Sequence, residues 1–152
     1  MSILKEPIIN ILFISFMSAI YSFIFIFTAG HMEFISILSH SKTLNSGFWN
    51  GWSDFLKTGN MKFIGYLIIG LTVVIIVFIL VKRTKQYDEY QVSILAKSLF
   101  LAGVLSIIMI PFLMVMLLSD PNYSTETIVL FATIQWVGVL VSYLFFVVRS
   151  AV

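Results

Sequence analysis

Cysteine is absent from the chain, which excludes disulfides, thiolate metal centres and thiol chemistry. Charge is scarce as well: 11% of the residues are Asp, Glu, Lys or Arg, against 60% hydrophobic. Soluble domains carry roughly 25% charged residues, so water is not the main solvent of this polypeptide. What charge there is falls between the apolar runs, and none interrupts the deep interior of a run. That gap argues against a small drug/proton antiporter, since proton coupling needs an ionisable group inside the membrane. Only two histidines occur, His31 and His40, with Glu33 as a third possible ligand. His31 and Glu33 would point about 200° apart on a helix and no fourth ligand suggests itself, so no metal site is expected. Both imidazoles sit at or beyond a membrane edge, so they cannot form a bis-histidine haem site buried between helices. No Gly-x-Ser-x-Gly occurs and no histidine shares a depth with the intramembrane serines, which argues against intramembrane proteolysis. A net charge of +2, with no aromatic-interleaved basic run outside the membrane turns, excludes nucleic acid. No cofactor and no enzymatic activity are expected.

What remains is apolar length. The mean hydropathy is +1.05, and four runs, at about 7–29, 63–81, 94–118 and 128–148, approach or exceed the ~20 residues that cross a bilayer. They predict an all-α, polytopic membrane protein, a four-transmembrane-helix bundle forming one domain over residues 1–152. The stretch from Phe63 to Ser119 organises the rest: two charge-free runs, Phe63 to Val81 and Ser98 to Ser119, joined by the polar segment from Lys82 to Gln91, which reads as a membrane hairpin. The apolar stretch after Pro7 is too long for a signal h-region of ~7–15 residues, so the first span is expected to be retained.

Between the first two spans, Phe48, Trp49, Trp52, Phe55 and Leu56 follow helical spacing, with Asn50, Ser53, Asp54 and Lys57 opposite. This pattern predicts an outer amphipathic helix over about 46–58, started by Asn45 or Ser46 and ended by Gly59-Asn60. Its tryptophans, Trp49 and Trp52, are the expected anchors at headgroup depth. The third helix is expected to start at Asp88-Glu89, acids suited to the positive end of a helix dipole, and to bend at Pro111.

Small and hydroxyl residues recur on particular faces. Ser15, Ser18 and Ser22 share one side of the first span, with Phe16, Phe23 and Phe27 on another. Ser98, Ala102 and Ser106 form a row on the third span, and Gln135, Gly138 and Ser142 a row on the fourth. Such rows let helix backbones approach closely in lipid, so all three are expected to face other helices. Gln135 is the one strongly polar side chain well inside a span; bridging helices is its expected role, with ligand binding as the alternative.

Lys5, Lys82, Arg83, Lys85, Lys97 and Arg149 fall on one side of the predicted bundle and Lys42, Lys57 and Lys62 on the other, six against three. The positive-inside rule then puts both termini in the cytoplasm.

The segment Asp88-Glu89-Tyr90-Gln91 after the basic cluster Lys82, Arg83 and Lys85 resembles the turn after the second span in uncharacterised small four-helix integral membrane proteins of low-GC Gram-positive bacteria. The resemblance covers about half of the chain. It implies a multi-pass protein of the bacterial plasma membrane and carries no activity with it. Lys82, Arg83, Lys85, Asp88 and Glu89 are expected either to cap a helix or to form a cytoplasmic contact site. The functional expectation is a non-enzymatic accessory protein, a regulatory or immunity-type subunit that binds a membrane-protein partner or itself. The rival is an oligomeric carrier or channel for a small or lipid-like solute, lined by Ser15, Ser18, Ser22, Gln135 and Ser142.

Overall fold

The structure, a computed structural model, describes residues 5–38, 46–81 and 86–149. Within them the chain forms α1 (Pro7–Thr28), α2 (Met32–Ile37), α3 (Gly47–Lys57), α4 (Met61–Val81), α5 (Glu89–Ser119) and α6 (Ser124–Arg149), with a 3-10 turn at Pro121–Tyr123. The architecture is all-α, and α1, α4, α5 and α6 are long and apolar enough to cross a membrane. Valine and isoleucine in α4 stay helical because hydrocarbon offers the backbone no other partner.

Local chemistry sets the helix ends. Pro7 occupies the first turn of α1, where its missing N–H costs nothing. The Asp88 carboxylate accepts from the Gln91 amide N–H at 2.7 Å, and the Gln91 side chain accepts from the Asp88 N–H at 3.2 Å. This reciprocal pair starts α5 where the acids predicted it. At the end of α3, Gly59 takes φ +73 while the Asn60 N–H reaches back to the Phe55 carbonyl, so the expected Gly59-Asn60 stop is present. Pro111 lies inside α5, which continues past it to Ser119.

Packing is less symmetrical than four equal rods. Helix α1 lies along α4, α5 lies along α6, and α6 also packs on α4. The expected hairpin is therefore not a packed pair, because α4 and α5 share no substantial contact and α6 comes between them. The connection explains this. Residues 86–88 cross the end of the bundle: the Gln86 side chain donates to Glu6 Oε1 at 2.7 Å, and the Tyr87 N–H donates to the Lys5 carbonyl at 2.9 Å. The buried Tyr87 ring meets Phe146 of α6 edge-on at 5.2 Å. A short loop would place neighbouring helices side by side, whereas this strap carries the chain across to the far flank of α6.

Burial pushes the Tyr87 hydroxyl up to about 12 from its ordinary value of 10.0. The neutral form is the one the fold favours, so this contribution is complete below about pH 10 and is lost as the pH rises toward about 12. Tyr87→Phe is expected to match the parent in thermal stability at neutral pH. Above about pH 10 the parent should lose stability relative to the variant. Melts of the two proteins in detergent from about pH 8 to about pH 11.5 measure that gap.

Candidate functional site

Three faces of the bundle carry chemistry, and the first is a closed polar seam where α1, α4 and α6 meet. Ser18 is buried, and its Oγ lies 2.7 Å from Thr72 Oγ1 and accepts from Trp136 Nε1 at 3.2 Å. Thr72 Oγ1 also lies 2.8 Å from the Ile68 carbonyl. The single Thr72 hydroxyl proton is shared between two acceptors, Ser18 Oγ and the Ile68 carbonyl, and with the Trp136 indole these groups form one buried network. Tyr21 stacks on the Trp136 ring at 5.0 Å, and Phe13 meets it edge-on at 6.5 Å. Nearer the Lys5 end the Tyr143 hydroxyl donates to Asn10 Oδ1 at 3.4 Å. Among the described residues these hydroxyls bond to one another, to the Trp136 indole and to a backbone carbonyl, and so join α1, α4 and α6.

Two of the expected rows face inward. Ser18 and Ser22 are buried and Ser15 is half-buried, while Phe16, Phe23 and Phe27 are exposed. Ser98 and Ala102 are buried against α6, with Ser106 half-buried and donating to the Ala102 carbonyl. On α6, Gly138 lets α5 approach, since a Cβ there would sit 3.2 Å from Leu105 Cδ2. Half-buried Ser142 spends its proton on the Gly138 carbonyl at 2.9 Å.

Gln135 departs from the expectation. It is exposed on the outside of α6 and bridges no helices of this chain. The inward position is Trp136, one residue and about 100° further round the helix. Polarity singled out Gln135, whereas Val129, Trp136, Leu140, Tyr143 and Val147 recur at the spacing of the buried stripe.

The second face is the clamp at the Trp52 end. Glu126, in the first turn of α6, has 0% exposure, and its Oε1 accepts from the Ser53 hydroxyl at 2.9 Å. The Trp52 indole N–H donates to the Glu126 carbonyl at 3.0 Å, and the Tyr123 hydroxyl donates to Asn50 Oδ1 at 3.2 Å. Trp49 is buried with its ring 6.0 Å from that of Tyr123. Trp49 and Trp52 thus turn onto the bundle end, and Ser53, expected on the polar side of α3, faces inward. Glu126 was legible only as part of a turn; an acid two residues ahead of the apolar run at Ile128 was the signal, because the positive helix end favours it.

Of the basic cluster, Lys82, Arg83 and Lys85 lie outside the described residues. Asp88 is the cap described above and Glu89 is exposed in the first turn of α5. His31 and Glu33 are exposed, and His40 lies outside the described residues. Among the described residues no three potential metal ligands gather.

The third face is a cleft of about 540 Å³ between α5 and α6 at the Arg149 end. Lys97, Arg149, Tyr90 and Ser93 contribute its polar groups, and Ile94, Leu101, Val141 and Phe145 its apolar surface. Gly138 lies against Leu105 further along the same pair of helices, and the cleft lies between them where Ser98 and Ser142 face it.

These features define a polytopic α-helical membrane protein. No protein-family model, curated protein or solved structure matches the chain.

Proposed function

We propose that the chain is a non-enzymatic accessory protein of a bacterial plasma membrane, with both termini in the cytoplasm, and that it binds another membrane protein or a second copy of itself. The observation that supports this reading is the exposure of Gln135 about halfway along α6. An unpaired amide facing hydrocarbon costs several kcal/mol, on the order of 4–8 on transfer from water to cyclohexane. A hydrogen bond to a neighbouring transmembrane helix removes that cost and returns roughly 0.6–2 kcal/mol. Toward the Ser124 end this face is apolar, with Ile128 52% exposed one heptad away.

The carrier reading has less support. Ser18 and Ser22 are closed inside the core, Gln135 is outside it, and Ser142 lies in the cleft against α5, so the supposed lining shares no common cavity.

The absence of native cysteine makes the test clean. Ile128→Cys, two helical turns from Gln135, is expected to crosslink within intact membranes to one product of defined size. Val73→Cys, equally exposed at 52% on α4, should not. Adding Gln135→Leu should abolish the Ile128→Cys product, and quantitative mass spectrometry after mild detergent extraction identifies its second chain. A monodisperse monomer with no enriched membrane protein, and equal crosslinking at both positions, overturns the reading.

A further inference from the structure

The cleft between α5 and α6 lies apart from the buried seam, and on α6 its lining begins at Val141, nearly two helical turns beyond Gln135. We infer that it is a binding site for an anionic phospholipid of the adjacent leaflet, the phosphate held by Lys97 and Arg149 and the start of an acyl chain laid against Ile94, Leu101, Val141 and Phe145. Its volume of about 540 Å³ falls within the roughly 300–1,000 Å³ of small-molecule sites, and it opens sideways, where lipid stands. The two cations line the same space, and among its described lining residues there is no carboxylate to oppose an anion. Arg149 is steadied by the Phe145 ring, its guanidinium carbon 5.8 Å from the ring centroid. Lys97 lies in the third turn of α5 and is exposed, so its stem follows the apolar surface while the ammonium reaches the headgroup layer. Tyr90 and Ser93 add hydroxyl donors at the rim.

The cleft has a cause in the sequence. Ser98 and Ser142, among the cleft-lining residues, are too small to fill the space that a larger pair would close, while Gly138 draws the helices together further along. Charge at the mouth and apolar surface within make an amphiphile the matching ligand. A free anion would satisfy the cations and leave the apolar wall uncovered.

Native mass spectrometry of the full chain tests this, with phosphatidylglycerol, phosphatidylcholine and inorganic phosphate as probes. Phosphatidylglycerol is expected to bind more tightly than phosphatidylcholine by roughly 25-fold, about five-fold for each cation. Lys97→Gln and Arg149→Gln should each lower that preference about five-fold, and the pair should abolish it. Leu101→Trp, which fills the cleft from an exposed position and leaves both charges in place, should weaken both lipids; melts confirm that each variant folds. Three results overturn the site: a preference that survives the double variant, lipid binding unchanged by Leu101→Trp, or displacement of lipid by excess inorganic phosphate. Gln135→Leu is expected to leave lipid binding unchanged, which separates this site from the proposed partner face.

Discussion

Gly65→Leu is expected to destabilise the bundle by about 2–3 kcal/mol and Gly65→Ala by about 1 kcal/mol, read from unfolding in mixed micelles. The cause is the crossing of α1 and α4, the most extensive helix pair in the molecule. A Cβ at Gly65 would lie 2.6 Å from Ile26 Cγ1, 3.1 Å from its Cδ1 and 3.2 Å from the Ser22 carbonyl oxygen. Ile26 can rotate, but the Ser22 backbone cannot, so alanine is accommodated by repacking and leucine forces the helices apart. Ile26→Ala should therefore recover part of the loss in Gly65→Ala and little of that in Gly65→Leu. Gly70 provides the control, because a Cβ there meets nothing within 4 Å. Gly70→Leu, on the same helix and with the same change in composition, is expected to leave stability unchanged or slightly raised, since leucine favours helix more than glycine. Equal losses at both positions would show that helix propensity, not the crossing, governs the result.

That crossing also marks the limit of what the sequence made legible. Span number followed from apolar length and two of the starts from local chemistry: α5 begins after the Asp88 cap and α1 at Pro7, as read from the residues, whereas α6 begins at Ser124, ahead of the apolar run at Ile128. Ser18, Ser22, Ser98 and Ala102 were readable as inward-facing because smallness is useful only where another backbone comes near. Helix partners were not readable. In water an apolar stripe names the buried side, but in lipid isoleucine serves both sides: Ile68 and Ile75 are buried in α4, while its neighbour Ile69 is exposed. The outward turn of Gln135, the inward turn of Trp136 and the placing of α6 between α4 and α5 all depend on that missing contrast. The cleft at Lys97 and Arg149 was hidden for another reason, since its lining is gathered from two helices whose pairing the sequence did not show.

Ser53→Ala is expected to release α3 from the end of the bundle, raising the labelling rate of a cysteine placed at Leu56 by roughly 10- to 100-fold. Leu56, on the buried side of α3, has 0% exposure, and the chain carries no native thiol, so a maleimide reports opening of this helix alone. The magnitude follows from the carboxyl group of Glu126, also at 0% exposure, to which Ser53 donates at 2.9 Å. Removing one partner from a buried polar group costs about 1–3 kcal/mol, and each 1.4 kcal/mol is a factor of ten in the open population. Glu126→Ala should open α3 further, because it strands the Ser53 hydroxyl and leaves a cavity as well. Glu126→Gln keeps an acceptor of the same shape and should fall between the parent and Ser53→Ala. Trp52→Phe, which removes the indole donor to the Glu126 carbonyl but keeps an aromatic ring, should add to Ser53→Ala less than the sum of the two effects, since both contacts hold one helix to one turn. Labelling in Ser53→Ala at the parent rate would mean that the apolar contacts of Trp49 and Leu56 seat α3 without the carboxyl group.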